Sequence, residues 1–360
     1  MRGLRARVFV GLALAIACAA PPSAADSACD ISGVARVVAV GDVHGAHDNF
    51  VAVLRMAGLI DAEDHWSGGR ARLVQTGDVL DRGPDSRKAL ELLMRLEKEA
   101  DKAGGSVHAL LGNHEVMRMR GDRRYVSAGE YEAFRTPDSE KLRERYYHAA
   151  AAESRKRSKA SKEAFDEAAF QQRFLGETPL GLVEMQEAFG PEGRYGRWLR
   201  GHDTVVRIDG VAFLHGGISP AVAPLGCAAI NDQVRAELVD PQVDTSKALS
   251  TRPDGPLWYR GLAQEDEAAF ASALEGILGA FGARALVVGH TVTRTGRIQS
   301  RFADRVVMID AGMLPAFGGH LAALELGAEG MTALYPDGPV RLGPAKAASR
   351  ERFSWQPMVR

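Results

Sequence analysis

The first half of the chain alternates short apolar runs with segments of helical periodicity. Runs of strand length extend from Ser32 to Val40, from Arg72 to Thr76 and from Ser106 to Leu111. Predicted helices separate them, the first from Asp48 to Leu59 and the second from Ser86 to Lys102. Because strands that alternate with helices of this length form helix-covered sheets, the pattern predicts a layered α/β core.

The pattern changes from Met117 to about Gly196, where the sequence is charged, helix-prone and poor in β-branched residues. We interpret this segment as a helical lid inserted into the fold, not as a separate domain. Its basic cluster from Arg155 to Lys162 has two interpretations. It is either a solvated helix face or a contact for an anionic substrate.

The second half is predicted to be mainly β-structure. A hairpin is expected from Val205 to Leu214 around an Asp209-Gly210 turn, followed by a helix from Glu265 to Leu278 and a strand from Arg284 to Val288. Four further runs suggest a closing antiparallel meander: Gly296 to Phe302, Val306 to Asp310, Leu321 to Leu326 and Met331 to Leu334.

The first 25 residues have the pattern of a signal peptide. A basic stretch from Arg2 to Arg7 precedes an apolar run from Val8 to Ala17, and small residues follow up to Ala25. The alternative is a buried amino-terminal helix. Cleavage before Asp26 predicts a periplasmic or secreted protein, and lipidation at Cys18 stays open.

The mature chain is expected to form one domain over residues 26–345, followed by a tail over residues 346–360. The whole chain has 360 residues, of which 46% are hydrophobic and 25% charged, as in an ordinary globular protein. Its formal net charge of -1 predicts no nucleic-acid partner, and no later apolar run predicts a stable membrane insertion. Without the leader, Cys29 and Cys227 remain, either as a disulfide or as two buried thiols.

Five of the predicted strands end in a turn that combines glycine with side chains able to bind metal. These turns are Gly41 to Gly45, Gly77 to Gly83, Gly112 to Glu115, His215 to Gly217 and Gly289 to Thr291. Aspartate, asparagine and histidine are hard and borderline ligands, which suit a pair of Mn, Fe or Zn ions. The turns therefore predict a dinuclear metal site at the carboxyl ends of the strands.

In order, the turns read GDVHG, GDVLDRG, GNHE, HGG and GHT, and this series resembles the signature of calcineurin-like metallophosphoesterases. More narrowly it resembles the phosphoprotein phosphatases, over residues 34–335. The resemblance implies a β-sandwich of two mixed sheets flanked by helices, with two metals at the strand ends. Leu111, where eukaryotic members usually have arginine, and the stretches at 255–260 and 309–313 are similar to the Shewanella-like branch.

The resemblance also implies roles for individual residues. The expected metal ligands are Asp42 and His44 for the first ion, Asp78 as the bridge, and Asn113, His215 and His290 for the second. The candidate general acid is His114, oriented by Asp81. Phosphate is expected to bind to Arg82, to Asn113 and to Arg260, although Arg260 could instead be a surface arginine. Asp310 is a candidate partner of a ligand histidine.

These roles describe an exported phosphomonoesterase in which a hydroxide shared by two metals attacks phosphorus. Its expected substrates are phosphorylated proteins, peptides or small phosphoesters, and the sequence does not select between phosphoserine and phosphotyrosine. The alternative enzyme is a dinucleoside polyphosphate hydrolase, because diadenosine tetraphosphatases share four of the five motifs. A binding protein with a dead site is disfavoured because every ligand position holds a residue able to bind metal.

Overall fold

The structure is a computed structural model, and it describes residues 29–343. The predicted signal peptide over residues 1–25 and the predicted tail over residues 346–360 lie outside the described residues. Among residues 29–343, no helix has the length and apolarity needed to span a bilayer.

Two mixed sheets of six strands each form the centre of the fold. The first sheet contains, in spatial order, β12 (Val340–Arg341), β11 (Gly330–Leu334), β10 (Ala323–Gly327), β2 (Val37–Val40), β3 (Arg72–Gln75) and β4 (Ser106–Ala109). The second contains, in spatial order, β1 (Asp30–Ile31), β5 (Val205–Ile208), β6 (Val211–Leu214), β7 (Ala285–Val288), β9 (Val306–Met308) and β8 (Gln299–Arg301). The predicted architecture of two mixed sheets flanked by helices is confirmed.

All four residues of strand β2 are apolar and buried. Val37 and Ala39 belong to the core between the two sheets, whereas Val38 and Val40 belong to the core under the helices. Successive side chains of a strand point to opposite faces, and both faces of this strand are covered. A continuous apolar run is the expected result.

Helices cover the outer faces of both sheets. The larger covering helices are α1 (His47–Met56), α2 (Ser86–Lys102), α9 (Gly226–Val239) and α11 (Glu267–Phe281), and α10 (Gly261–Gln264) is a single turn. In α2, Leu90, Leu93 and Leu96 are fully buried at spacings of three residues. This apolar stripe packs the helix against the first sheet, as its predicted periodicity requires.

The predicted insertion is helical, but its parts differ in how they are anchored. It begins within α3 (Asn113–Met119), includes α4 (Ala128–Phe134), α5 (Ser139–Ser161), α6 (Glu167–Glu177) and α7 (Leu182–Phe189), and ends within α8 (Arg194–Arg200). The rings of Phe134, Phe189 and Tyr195 meet at centroid distances of 5.3–5.9 Å and belong to the main core. No residue of α6 is buried. A lid interpretation is therefore restricted to the hairpin of α5 and α6.

Two predictions about strands are wrong. The expected strand from Ser32 to Val40 begins only at Val37, because the N–H groups of Gly33 and Val34 bond to the Asp209 carboxylate at 2.7 and 3.0 Å instead of joining a ladder. The expected closing meander is divided between the sheets. Strands β8 and β9 extend the second sheet, and β10 and β11 extend the first.

The two mature cysteines lie side by side although 198 positions separate them. Their Cα atoms are 6.1 Å apart, inside the range that a disulfide requires. Both side chains are buried beside Val205 on β5. A bond between them would attach the start of the described chain to α9, the helix that contains Cys227.

We predict that Cys29 and Cys227 are oxidised in protein recovered from the periplasm or medium, as the leader sequence implies. Closing a loop of this length stabilises a fold by roughly 5 kcal/mol in the chain-entropy model, with smaller measured values common. Reduction should lower the melting temperature without removing metal, because neither cysteine contacts the site. Two free thiols titrated in the unfolded, unreduced protein would refute the bond.

Candidate metal centre and reaction pocket

The turns that follow six strands converge at one edge of the sandwich. Strands β2, β3 and β4 are mutually parallel, and β6, β7 and β9 are parallel in the other sheet. Each ends in a turn with a polar, buried side chain: Asp42 and His44 after β2, Asp78 after β3, Asn113 after β4, His215 after β6, His290 after β7 and Asp310 after β9. All six predicted metal ligands are brought together.

His215 is the centre of the first group of polar atoms. Its Nε2 lies 3.2 Å from Asp78 Oδ2, 2.9 Å from Asn113 Oδ1 and 3.0 Å from His290 Nδ1. Its Nδ1 lies 2.9 Å from the carbonyl oxygen of Thr76 and donates a hydrogen bond to it. In the neutral ring Nε2 then carries a lone pair, so several acceptor atoms point at one another.

His44 is part of a second group that shares Asp78 with the first. The Nε2 atom of His44 is 3.7 Å from Asp78 Oδ2 and 3.9 Å from Asp42 Oδ2, and its Nδ1 contacts the Leu80 carbonyl at 2.9 Å. His114 Nε2 also lies 3.8 Å from Asp78 Oδ2. The side chains of His44, Asp78 and His114 could hold one ion, and those of Asp78, His215 and His290 another.

The sequence suggested Asp310 as a partner of a ligand histidine. In the structure Asp310 lies beside Asp42 instead. The two buried carboxyl groups contact each other, and Asp42 also accepts the N–H of His290 at 3.0 Å. Burial and then the neighbouring Asp310 raise the pKa of Asp42 well above its usual value. Burial raises the pKa of Asp310 to about 6. Two adjacent buried carboxylates favour a nearby cation.

The protonation of the site suits metal binding. Burial lowers the pKa of His44 to about 4, and burial together with His215 lowers the pKa of His290 to about 2. Both rings are therefore neutral at pH 7 and can donate a lone pair. Burial opposes ionisation of Asp78, but the neighbouring His215 and His114 outweigh burial and hold the pKa of Asp78 well below its usual range.

An unpartnered atom supports the same fit. His290 Nε2 is buried and has no hydrogen-bond partner among the described residues. Buried polar atoms are normally paired, so this one indicates a missing ligand or solvent. The oxygen and imidazole donors match the ions expected from the sequence, namely Mn, Fe or Zn.

Glu115 holds the turns together and was not recognised from the sequence, although it is the last residue of GNHE. Its carboxylate accepts the N–H groups of Gly112 and Asp78 at 2.8 Å each, and that of Val79 at 2.9 Å. A Cβ on Gly112 would lie 2.3 Å from the Asp78 nitrogen, so the close approach of the two turns requires glycine. The glutamate thus fixes the backbone that carries Asp78.

A cavity of about 390 Å³ opens onto these groups. Both candidate phosphate-binding arginines line it, as do Asn113 and His114. The Arg82 guanidinium lies 4.7 Å from the Tyr125 ring and 5.2 Å from the Phe317 ring. Arg260 donates to the His290 carbonyl at 2.7 Å and to Thr291 Oγ1 at 2.9 Å. Arg260 is thus a pocket residue, and the surface alternative does not describe its position.

The six histidines to which the sequence assigned no role in the site lie outside this cavity lining within the described chain. They are His47, His65, His108, His148, His202 and His320. The sequence did not single out three aromatic side chains of the lining: Tyr125, Trp258 and Phe317. Only Trp258 lies in a stretch used for the family resemblance, and the other two lie on loops without a local signal.

The converging ligands and the arginines beside them define a metal-dependent phosphoester hydrolase. Residues 35–294 match the family of calcineurin-like phosphoesterases, and the chain belongs to that family. An uncharacterized protein of Schizosaccharomyces pombe is 32% identical over 302 residues, which are 81% of this chain and 76% of that protein.

Two further comparisons place the chain in the Shewanella-like branch of the phosphoprotein phosphatases, as predicted. Shewanella-like protein phosphatase 2 of Arabidopsis thaliana is 31% identical over 287 residues, covering 77% of this chain and 71% of that protein. The crystal structure of a cold-active protein-tyrosine phosphatase from a psychrophilic Shewanella species has a TM-score of 0.66 at 28% identity. That match covers 87% of this chain and 82% of the other.

Changing Asp78 to asparagine should be the most damaging of the ligand substitutions, because Asp78 belongs to both groups. Asparagine keeps the shape and tolerates the left-handed backbone at φ 55°, but it removes the shared charge. Changing a residue that only supports a metal ligand usually lowers metal affinity or activity by about 10–100-fold. For this ligand itself we expect activity to fall by more than about 100-fold, with fewer than two bound metals by elemental analysis.

The matched control is Asp64→Asn, which has a similar φ of 65° and an ion pair with Arg55 outside the pocket. Its activity and metal content should match those of the unmodified protein. Full metal occupancy in Asp78→Asn would contradict the shared position of this carboxylate.

Proposed function

We propose that this protein is a phosphomonoesterase that dephosphorylates proteins or peptides. The observation that carries the proposal is the cavity in which Arg82 and Arg260 lie beside the converging carboxylates and imidazoles. Relatives named as protein phosphatases support the same substrate class.

Two metal ions would be held by Asp42, His44, Asp78, Asn113, His215 and His290. When bound, they would supply an activated water and draw negative charge from the phosphoryl oxygens. Asp78 is placed to serve both groups, since its Oδ2 lies near the ring nitrogens of both His44 and His215. Side chains of the protein would bind the phosphate, orient it and donate a proton to the leaving oxygen.

Arg82 and Arg260 would bind the phosphate oxygens. A guanidinium matches two oxygens of a phosphate in its own plane, which a lysine cannot do. The rings of Tyr125 and Phe317 limit the planes that Arg82 can adopt, and Arg260 is tethered by two hydrogen bonds. Both side chains are thus oriented before the substrate arrives, which reduces the entropy lost on binding.

His114 would donate a proton to the leaving oxygen. Its Nδ1 lies 2.7 Å from Asp81 Oδ2, which leaves Nε2 for the substrate. Burial alone would lower the pKa of His114, but the negative charges of Asp78 and Asp81 outweigh burial and raise it. A raised pKa favours the protonated ring, which is the form that a general acid requires.

Replacing His114 with asparagine should lower turnover of alkyl phosphates by about 10²–10⁴, the usual range for losing a general acid. Aryl phosphates with good leaving groups need less protonation and should lose far less. Metal content should stay at two. The control is His65→Asn, which removes an exposed histidine that contacts Glu99 Oε1 at 3.0 Å. Loss of metal from His114→Asn would show instead that His114 is a ligand.

A substrate panel tests the proposed class of reaction. We expect a phosphotyrosine peptide to be hydrolysed faster than a phosphoserine peptide, since aromatic rings at the rim can contact the tyrosyl ring. Both peptides should exceed a dinucleoside polyphosphate, and chelation should abolish every activity until Mn or Zn is restored. Preference for the dinucleotide would instead support the alternative hydrolase.

We also propose that the mature enzyme works outside the cytoplasm. The support is the basic and apolar pattern of the leader, together with two cysteines close enough to bond. Recovery of the uncleaved chain in the cytoplasmic fraction of its own cells would contradict export.

A further inference from the structure

A buried arginine connects the helical insertion to the Asp81–His114 pair. Arg118 lies on α3 four residues after His114, so both side chains leave the same face of that helix. Arg118 is only 4% exposed and lines neither the metal site nor the substrate cavity. A buried cation in this position requires charged partners.

Arg118 binds the oxygen of Asp81 that His114 does not use. Asp81 Oδ2 lies 2.7 Å from His114 Nδ1, and Oδ1 accepts a hydrogen bond from Arg118 Nη2. Both oxygens of the carboxylate are therefore engaged by cationic or hydrogen-bonding partners. Rotation of the Asp81 side chain would break a charge-assisted bond in a buried environment, where water cannot replace it.

Glu130, on α4 of the insertion, fixes the other side of this arrangement. Its Oε1 accepts from Arg118 Nη2 at 2.9 Å and from the N–H of Asp81 at 3.4 Å. Its Oε2 accepts the N–H of Ser127 at 3.2 Å, which holds the glutamate on the first turn of its helix. Asp81 has a φ of 68°, a strained value for a residue other than glycine, so its turn needs such external support.

Helix α7 of the insertion closes the site around Arg118. Met185 Sδ lies 3.2 Å from Arg118 Nη1, and the guanidinium carbon lies 5.1 Å from the Phe189 ring. Helices on both sides of the exposed hairpin, α4 and α7, thus contact the same arginine. The anchored part of the insertion reaches the candidate acid through two charged side chains.

We propose that Arg118 and Glu130 are positioning residues that fix the orientation of the Asp81–His114 pair. The anchored helices of the insertion are then part of the proton-transfer apparatus and not an accessory lid. This inference rests on the proposed role of His114. It goes beyond that role in giving a function to Arg118 and Glu130, which touch neither substrate nor metal.

The test is Arg118→Met, which keeps a similar length and removes the charge, with Glu130→Gln and Arg118→Lys as milder variants. Turnover is measured over phosphate esters with leaving groups of increasing pKa, per metal-loaded, folded molecule. Because misplacing a catalytic group by about 1 Å can cost 10²-fold, we expect alkyl esters to lose about 10- to 100-fold. Esters with good leaving groups should change by less than about threefold, since they depend little on the acid.

The double variant Arg118→Met with His114→Asn decides whether the arginine acts through the histidine. If it does, the double variant is no slower than His114→Asn alone. Losses that multiply, or an equal loss for every leaving group, would overturn the proposal. The control is Arg135→Met, which removes an exposed arginine that forms an ion pair with Glu132 in the same insertion and should leave every rate unchanged.

The two hypotheses fail in different ways. If His114→Asn itself shows no dependence on the leaving group, the role of His114 is wrong, and the inference falls with it. If His114→Asn shows the dependence and both Arg118→Met and Glu130→Gln lack it, the positioning role alone is wrong. If Arg118→Met does not fold, the Glu130→Gln and Arg118→Lys profiles decide.

Discussion

The structure depends on one electrostatic constraint, the burial of several acceptor groups around the Asp78 carboxylate. The imidazoles of His44, His114 and His215 all approach it within 4 Å, and Asp42 lies close by. Moving such groups out of water costs several kcal/mol for each charged group unless a partner compensates it. Cations at the centre and hydrogen bonds from the backbone behind it are the compensation that this arrangement requires.

The backbone of the turns that carry these groups is strained as well. Eleven residues other than glycine have a positive φ in the described chain, and five of them belong to the site: His44, Asp78, Asp81, Arg82 and His290. Conformations of this kind cost about 1–3 kcal/mol each and persist where their surroundings enforce them. Glu115 supplies part of that enforcement by accepting N–H groups from two turns. The strain therefore lies where ligand side chains must be directed toward a common point.

Much of the site could be predicted from the sequence because each ligand directly follows a strand. Apolar runs mark the strands locally, and parallel strands deliver their carboxyl ends to one edge of a sheet. The helix from Ser86 to Lys102 was predicted with its observed bounds for a related reason, since its apolar stripe is continuous. The features that could be predicted are thus those that each depend on residues close together in the chain.

The rest depended on contacts between distant segments. The four strands from β8 to β11 have similar local patterns, yet β8 and β9 join the second sheet and β10 and β11 join the first. Nothing in a single apolar run specifies which sheet it will extend. The same limitation hid Glu115 and Glu130, because they accept the N–H groups of Asp78 and Asp81, which lie 37 and 49 residues earlier in the chain. A buried carboxylate acquires its role only when those partners are in place.

The helices of the insertion belong to one charged, helix-prone segment, but they differ in how many of their residues are buried. Helices α4 and α7 bury Phe134, Leu182 and Phe189, and they reach the buried charges behind Asp81. Helix α6 has no buried residue, and α5 buries only three of its twenty-three. Segments with little buried area have low local stability and can change their conformation at small cost. The exposed hairpin is therefore free to differ in sequence or motion without disturbing proton transfer, while the helices on either side of it are not.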